Sequence, residues 1–163
     1  MNIAYLLIGG NQGDRLAYLQ ETIRRIEAAD ARIVRQSAVY ETAAWGKTDQ
    51  PAFLNQALIL ETTLDAPILL KRLLAIEEQM GRIRIERYGA RTIDIDILFF
   101  NSAVIRLPEL TIPHPEVARR RFALVPMDEI APGYVHPILQ KTIHELLDQC
   151  PDRLEVKKLI INE

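Results

Sequence analysis

The chain predicts an α+β fold, a mainly antiparallel sheet with helices packed on it, on three observations. Strand-like segments outnumber helical ones. Two strand segments, 32–42 and 52–63, flank one loop as a hairpin would. Helical periodicity is confined to a few stretches instead of alternating regularly with strands. In order the segments run β-α-β-β-α-β with a C-terminal extension, which is the ferredoxin-like pattern. All 163 residues are expected to form one domain, with no linker or repeat to divide them.

Each element has its own warrant. Ile3 to Ile8 is an apolar strand broken by "GGNQGD", and Asp14 can cap a helix from Arg15 to about Ala29, whose apolar positions Leu16, Leu19, Ile23 and Ile26 keep helical spacing. "RIVRQSAVYET" reads as one strand and "AFLNQALILETT" as its partner across the loop. Asp65, with Pro67 inside the first turn, starts a second helix that ends at Gly81. "TIDIDILFF" is a strand, "NS" a turn and "AVIRL" a candidate return strand. "PELTIPHP" reads as loop, "EVARRR" as at most a short helix, and "QKTIHELLDQ" as an amphipathic helix. The tail "RLEVKKLIIN" fits either a strand or a last helical turn.

Composition narrows the function classes. Twenty Lys+Arg against 22 Asp+Glu leave a net charge of −2, so an anion site must come from local clustering, and neither nucleic acid nor a membrane is an expected partner. Cys150 is the only cysteine, which points to a reducing, cytoplasmic setting. The amino-terminal apolar run has no basic segment before it and reads as a first strand instead of a secretion signal. A monomer is expected.

The chemistry concentrates in two adjoining stretches. On a strand, residues two apart share a face about 6.5–7 Å apart, so Asp94 and Asp96 look one way while Ile93, Ile95 and Ile97 enter the core. Aspartate is depleted in strands, which counts against a merely polar outer face. Paired carboxylates suit Mg²⁺, which takes one or two of them together with substrate phosphates. Just before them, Arg82, Arg84, Arg87 and Arg91 fall within ten residues, and guanidinium forks bind phosphate. Metal-collecting carboxylates beside phosphate-collecting arginines are the parts of phosphoryl transfer. A solvated basic loop paired with Glu77, Glu78 and Glu86 is the plainer alternative. No GxxxxGK[ST] occurs and "GGNQGD" does not fit G-x-G-x-x-G, so a nucleotide would not be held by a P-loop or a Rossmann turn. Around the hairpin lie Thr42, Trp45, Phe53 and Asn55. A ring beside an amide can receive a flat heterocycle, with Phe122 as a second ring, although these could equally be core residues. His114 and Arg119 to Arg121 form a second basic stretch, while His144 reads as a surface residue and His136 as structural.

The set "IGGN", "YET" with "WGKTDQPAFLN", "GARTIDIDIL" and "IPHPEVARRRFAL" resembles the 6-hydroxymethyl-7,8-dihydropterin pyrophosphokinases of folate biosynthesis, from about Asn2 to Pro132. The resemblance implies transfer of pyrophosphate from ATP to the pterin hydroxymethyl group, with release of AMP and the help of two Mg²⁺ ions. It assigns Asp94 and Asp96 to the metals and Arg82 and Arg91 to phosphate contact and transfer. It assigns Thr42, Trp45, Phe53, Asn55 and Phe122 to the pterin, and Glu77, Arg84, His114 and Arg120 to ATP. Tyr88 and Ala90 stand where the family often has tryptophan and proline, and Ala43 and Ala44 where paired prolines are common. A rival from another class is a ferredoxin-like domain that senses a nucleotide without turning it over; AMP formation separates the two.

Overall fold

The computed structural model describes residues 1–43, 51–81 and 92–160. Its elements are β1 (Asn2–Gly10), α1 (Arg15–Glu27), β2 (Ala31–Gln36), β3 (Tyr40–Thr42), β4 (Phe53–Thr62), α2 (Ala66–Gln79) and β5 (Asp94–Phe100). After these come β6 (Ile105–Leu107), β7 (Leu110–Ile112), a 3₁₀ turn (Val117–Arg119), α3 (Arg121–Ile130), α4 (Ile143–Asp148) and β8 (Val156–Lys158). The main sheet runs β5-β1-β4-β3-β8, with β2 also on β4, and every pairing is antiparallel. Thus β4 lies between β1 and the β2/β3 edge, and β1 lies between β4 and β5, the interleaving of a ferredoxin-like β-α-β-β-α-β unit.

Local chemistry starts and stops the two helices of that unit. The Asp14 carboxylate accepts from Ala17 N–H at 3.1 Å, and the Asp65 carboxylate accepts from Ile68 N–H at 3.0 Å. Beyond Met80, Gly81 takes φ +77°, the left-handed conformation that ends a helix cheaply, and its N–H donates to Glu78 O at 3.0 Å.

Side-chain alternation divides the interior into two layers. Leu6, Ile8, Leu58, Leu60, Ile95 and Ile97 face α1 and α2 and close over Leu19, Ile26, Leu69, Leu73 and Ile76. Leu7, Ala57, Ile59 and Phe99 face the other way, onto Leu124 and Met127 of α3 and Ile143 and Leu146 of α4. A register shift opposite Tyr5/Leu6 leaves Leu98 as an extra residue in β5, so Leu98 and Phe99 both enter this second layer.

Several expectations need correcting. The strand over 32–42 is two strands, β2 and β3. Between them Ser37 N–H donates to Ala57 O at 2.9 Å, and its Oγ both accepts from Ala57 N–H at 2.9 Å and donates to Ala38 O at 2.7 Å, so a side chain replaces the regular ladder. The return strand after Asn101 does not come back onto β5. Residues 105–107 pair with Leu110–Ile112, expected to be loop, in a separate two-stranded sheet. At "EVARRR" the expectation of at most a short helix holds, as a 3₁₀ turn over Val117–Arg119, but the ten-residue α3 that follows, with Pro126 inside it, goes beyond it. The last helix begins three residues late, at Ile143, because Thr142 and Glu145 form a reciprocal capping box there. The tail is a strand, with Val156 opposite Thr42 and Lys158 opposite Tyr40.

Candidate active site

Five of the expected site residues fall on one face of the main sheet, the face that α3 and α4 cover only at its other end. Cross-strand register decides this. Thr42 is opposite Phe53, Tyr40 is opposite Asn55, Asn55 is opposite Gly9, and Gly9 is opposite Asp94. Directly paired residues project to the same side, so Thr42, Phe53, Asn55 and Asp94 lie along one band, with Asp96 one step farther opposite Leu7. Two strand spacings separate Asn55 from Asp94, on the order of 10 Å. Tyr40, in the same row, donates to the Glu129 carboxylate of α3 at 2.5 Å, which fixes that helix at the edge of the band.

The glycine in the middle has a steric reason. A β-carbon at Gly9 would collide with Asn55 Oδ1 and lie 2.6 Å from Leu54 O, so the Asn55 amide occupies the space a side chain would fill. The expectations gave Gly9 no role of its own; the signal was a Gly-Gly pair ending a strand. Asn55 is 6% exposed and Thr42 is 4% exposed. Thr42 Oγ1 is buried with no hydrogen-bond partner among the described residues. A buried hydroxyl of this kind costs free energy unless a ligand satisfies it. Phe53, opposite Thr42 on β4, is half-buried; Phe122, in the first turn of α3, is half-buried too, and the Arg120 guanidinium stands over its ring 5.7 Å from the centroid.

At the other end of the band, Asp94 and Asp96 are half-buried, while Ile93, Ile95 and Ile97 are buried beneath them. Between the two aspartates, Ile95 N–H donates at 2.7 Å to Glu77 Oε2 from the last turn of α2, and Glu77 is 4% exposed. The Glu77 carboxylate therefore serves the backbone of the strand that carries the aspartates. A cleft of about 270 Å³ opens next to Asp96, lined also by Leu70, Leu110, Thr111, His114 and Pro115. His114 N–H donates to Leu98 O at 2.9 Å, and its Nδ1 accepts from Glu116 N–H at 3.1 Å, so in the neutral ring Nε2 carries the hydrogen. Burial lowers the His114 pKa most, the Asp96 carboxylate raises it, and Arg120 lowers it again. The net direction is downward, and the ring is neutral near pH 7.

The paired carboxylates fit Mg²⁺ without further protein ligands. The described residues contain no cluster of three or more His, Cys, Asp or Glu, and two carboxylates plus phosphate oxygens are a usual Mg²⁺ donor set. Trp45, Arg82, Arg84 and Arg91 lie outside the described residues. His136 is buried, its Nδ1 accepting from Ile138 and Leu139 N–H at 3.2 and 3.1 Å, and His144 is exposed beside Asp128. No described helix is long and apolar enough to cross a membrane.

Known proteins share this architecture and sequence. The profile of the family described as 7,8-dihydro-6-hydroxymethylpterin-pyrophosphokinase (HPPK) matches residues 5–132. A protein of Methylorubrum extorquens named 2-amino-4-hydroxy-6-hydroxymethyldihydropteridine pyrophosphokinase is 43% identical over 148 residues, 90% of this chain and 92% of that protein. One of the same name from Synechocystis is 42% identical over 143 residues, 87% of this chain and 73% of that protein. Among solved structures, wild-type Plasmodium falciparum HPPK-DHPS with pteroate superposes with a TM-score of 0.74 at 20% identity, over 91% of this chain. This chain spans 42% of that longer one, and the likeness is one of fold.

Proposed function

The chain belongs to the 7,8-dihydro-6-hydroxymethylpterin-pyrophosphokinase family, and on that premise we propose how its residues divide the work. The enzyme transfers pyrophosphate from ATP to the hydroxymethyl group of 6-hydroxymethyl-7,8-dihydropterin, a step of folate biosynthesis. The hydroxymethyl oxygen forms a bond to the β-phosphorus, the bond from that phosphorus to the α–β bridging oxygen breaks, and its electron pair leaves with AMP. The hydroxyl proton passes to water. The sensing alternative gives way, because the relatives carry the enzyme's name.

The observation that carries the assignment of residues is the row Asn55–Gly9–Asp94. It sets an amide suited to a heterocycle edge and a carboxylate suited to a cation on one face, on the order of 10 Å apart. In our reading Asn55 donates to and accepts from the pterin edge, and the Thr42 hydroxyl gains a partner that the described residues do not give it. Phe53, Phe122 and Trp45 enclose the rings. Asp94 and Asp96 would hold two Mg²⁺ ions, which would supply charge to neutralise the phosphates and polarise the attacking hydroxyl. On the ATP side, Arg82 and Arg91 grip phosphate oxygens and assist transfer, while Arg84, Arg120, Glu77 and the Nε2–H of His114 complete the nucleotide's contacts. One sheet extends from Asn2 to Lys158, which supports treating residues 1–163 as one domain. The near balance of charge favours small molecules over nucleic acid or a membrane as partners, and the single cysteine fits a cytoplasmic setting; we take the enzyme to be a monomer.

Asp96→Ala tests the metal assignment. With ATP, Mg²⁺ and the reduced pterin, the wild type forms AMP and pterin diphosphate in equal amounts. The variant is expected to keep its circular dichroism spectrum and lose AMP formation. Near-normal turnover by the variant would remove Asp96 from the site.

A further inference from the structure

We infer that Arg15 is a positioning residue for the pterin site, stapling together from the opposite side of the sheet the two strand ends that carry Thr42 and Phe53. The inference rests on the reading of Thr42, Phe53 and Asn55 as that site. Arg15 is the first residue of α1, and its Nη1 donates at 2.8 Å to Glu41 Oε2 and at 2.8 Å to Ala52 O. Glu41 immediately precedes Thr42, and Ala52 immediately precedes Phe53, in the chain. Thr42 and Phe53 form the last cross-strand pair of the β3–β4 ladder, the place where an antiparallel pair frays first.

Alternation along β3 puts the Glu41 side chain on the face opposite Thr42, so Arg15 ties the two strands without entering the pterin side. The Asp14 cap sets where α1 begins and hence where Arg15 stands. A second contact from the β1–α1 turn acts on the same segment: Asn11, 1% exposed, donates through Nδ2 to Pro51 O at 3.0 Å. The Arg15–Glu41 pair is itself only partly exposed, at 28% and 35%, so solvent screens it less than a fully exposed pair. One guanidinium thus fixes the separation of a hydroxyl and a ring that must meet the same ligand, and Arg15 itself touches neither substrate. Its effect belongs in the affinity for the pterin and not in that for ATP.

The test compares wild type, Arg15→Ala, Arg15→Lys and Asn55→Ala in steady-state kinetics and in fluorescence titration with the reduced pterin. Arg15→Ala is expected to raise the pterin KM and Kd about five- to tenfold, with kcat and the ATP KM within about twofold of wild type. Arg15→Lys restores part of the loss, because an ammonium can still bridge a carboxylate and a carbonyl. Two results overturn the staple while leaving the site reading standing. One is a pterin Kd for Arg15→Ala within about twofold of wild type while Asn55→Ala weakens pterin binding. The other is a parallel worsening of pterin KM, ATP KM and kcat that Arg15→Lys does not relieve, which marks a general structural role. If Asn55→Ala also leaves pterin affinity unchanged, the site reading falls and the staple falls with it.

Discussion

Replacing Glu77 probes how the strand that carries Asp94 and Asp96 is held in place. The Glu77 carboxylate is 4% exposed and accepts the Ile95 N–H at 2.7 Å, between the two aspartates of a strand that ends the order of the main sheet. Glu77→Ala leaves that buried N–H without this acceptor, which costs about 2–3 kcal/mol for a bond to a charged group. Glu77→Gln keeps an oxygen in reach and, as a neutral acceptor, should recover about half of the loss. In a domain of this size the alanine variant then melts roughly 5–10 °C lower, since 1 kcal/mol corresponds to about 2–4 °C. Urea denaturation gives the free energies. The Mg²⁺ concentration for half-maximal AMP formation reads the strand together with the ATP contact proposed for Glu77, and is expected to rise in the order wild type, Gln, Ala. The reasoning fails if Glu77→Ala unfolds within about 0.5 kcal/mol of wild type, or if Gln is as damaging as Ala.

Two further outcomes are expected. Gly9→Ala puts a methyl group into Asn55 Oδ1 and 2.6 Å from Leu54 O, so it should destabilise by about 1–3 kcal/mol and weaken pterin binding more than ATP binding, as read by separate titrations. Stability should also fall as pH drops below about 6.5. Burial lowers the His136 pKa from 6.5, so the unfolded chain takes up that proton first, and protonating Nδ1 also breaks its bonds from Ile138 and Leu139 N–H. His114 acts in the same direction, and exposed His144, raised by Asp128, acts weakly against it. Chemical denaturation between pH 7 and 5.5 should therefore show a shallower decline in His136→Asn than in wild type.

The parts of the fold that were legible in the sequence are those written in local chemistry. Asp14 and Asp65 cap helices where capping residues precede apolar periodicity, and Gly81 ends one where a left-handed residue is needed. The alternation in "TIDIDILFF" put Asp94 and Asp96 opposite Ile95 and Ile97, as the two interior layers show. The features that local sequence does not encode depend on distant partners. α3 was hidden by three successive arginines and by Pro126, and packing against Ala57 and Phe99 stabilises it where propensity does not. The break at Ser37 depends on a bond to Ala57, twenty residues away. The pairing of residues 105–107 with 110–112 instead of β5 is a tertiary choice that strand propensity does not encode. The site shows the same division. Its acidic and aromatic residues stood out by type, whereas the support from Gly9, Arg15 and the Glu77 contact to Ile95 appeared only once register and depth were known.

The central claim is that one sheet face holds the pterin at Asn55 and the metal-bound phosphates at Asp94 and Asp96, on the order of 10 Å apart. Mn²⁺ in place of Mg²⁺ measures this, with the reduced pterin and a non-hydrolysable ATP analogue bound and the pterin proton resonances observed. The account predicts strong paramagnetic broadening, greatest at the hydroxymethyl protons and lost in Asp96→Ala. Pterin that binds in an Asn55-dependent manner yet shows no broadening by Mn²⁺ would contradict it.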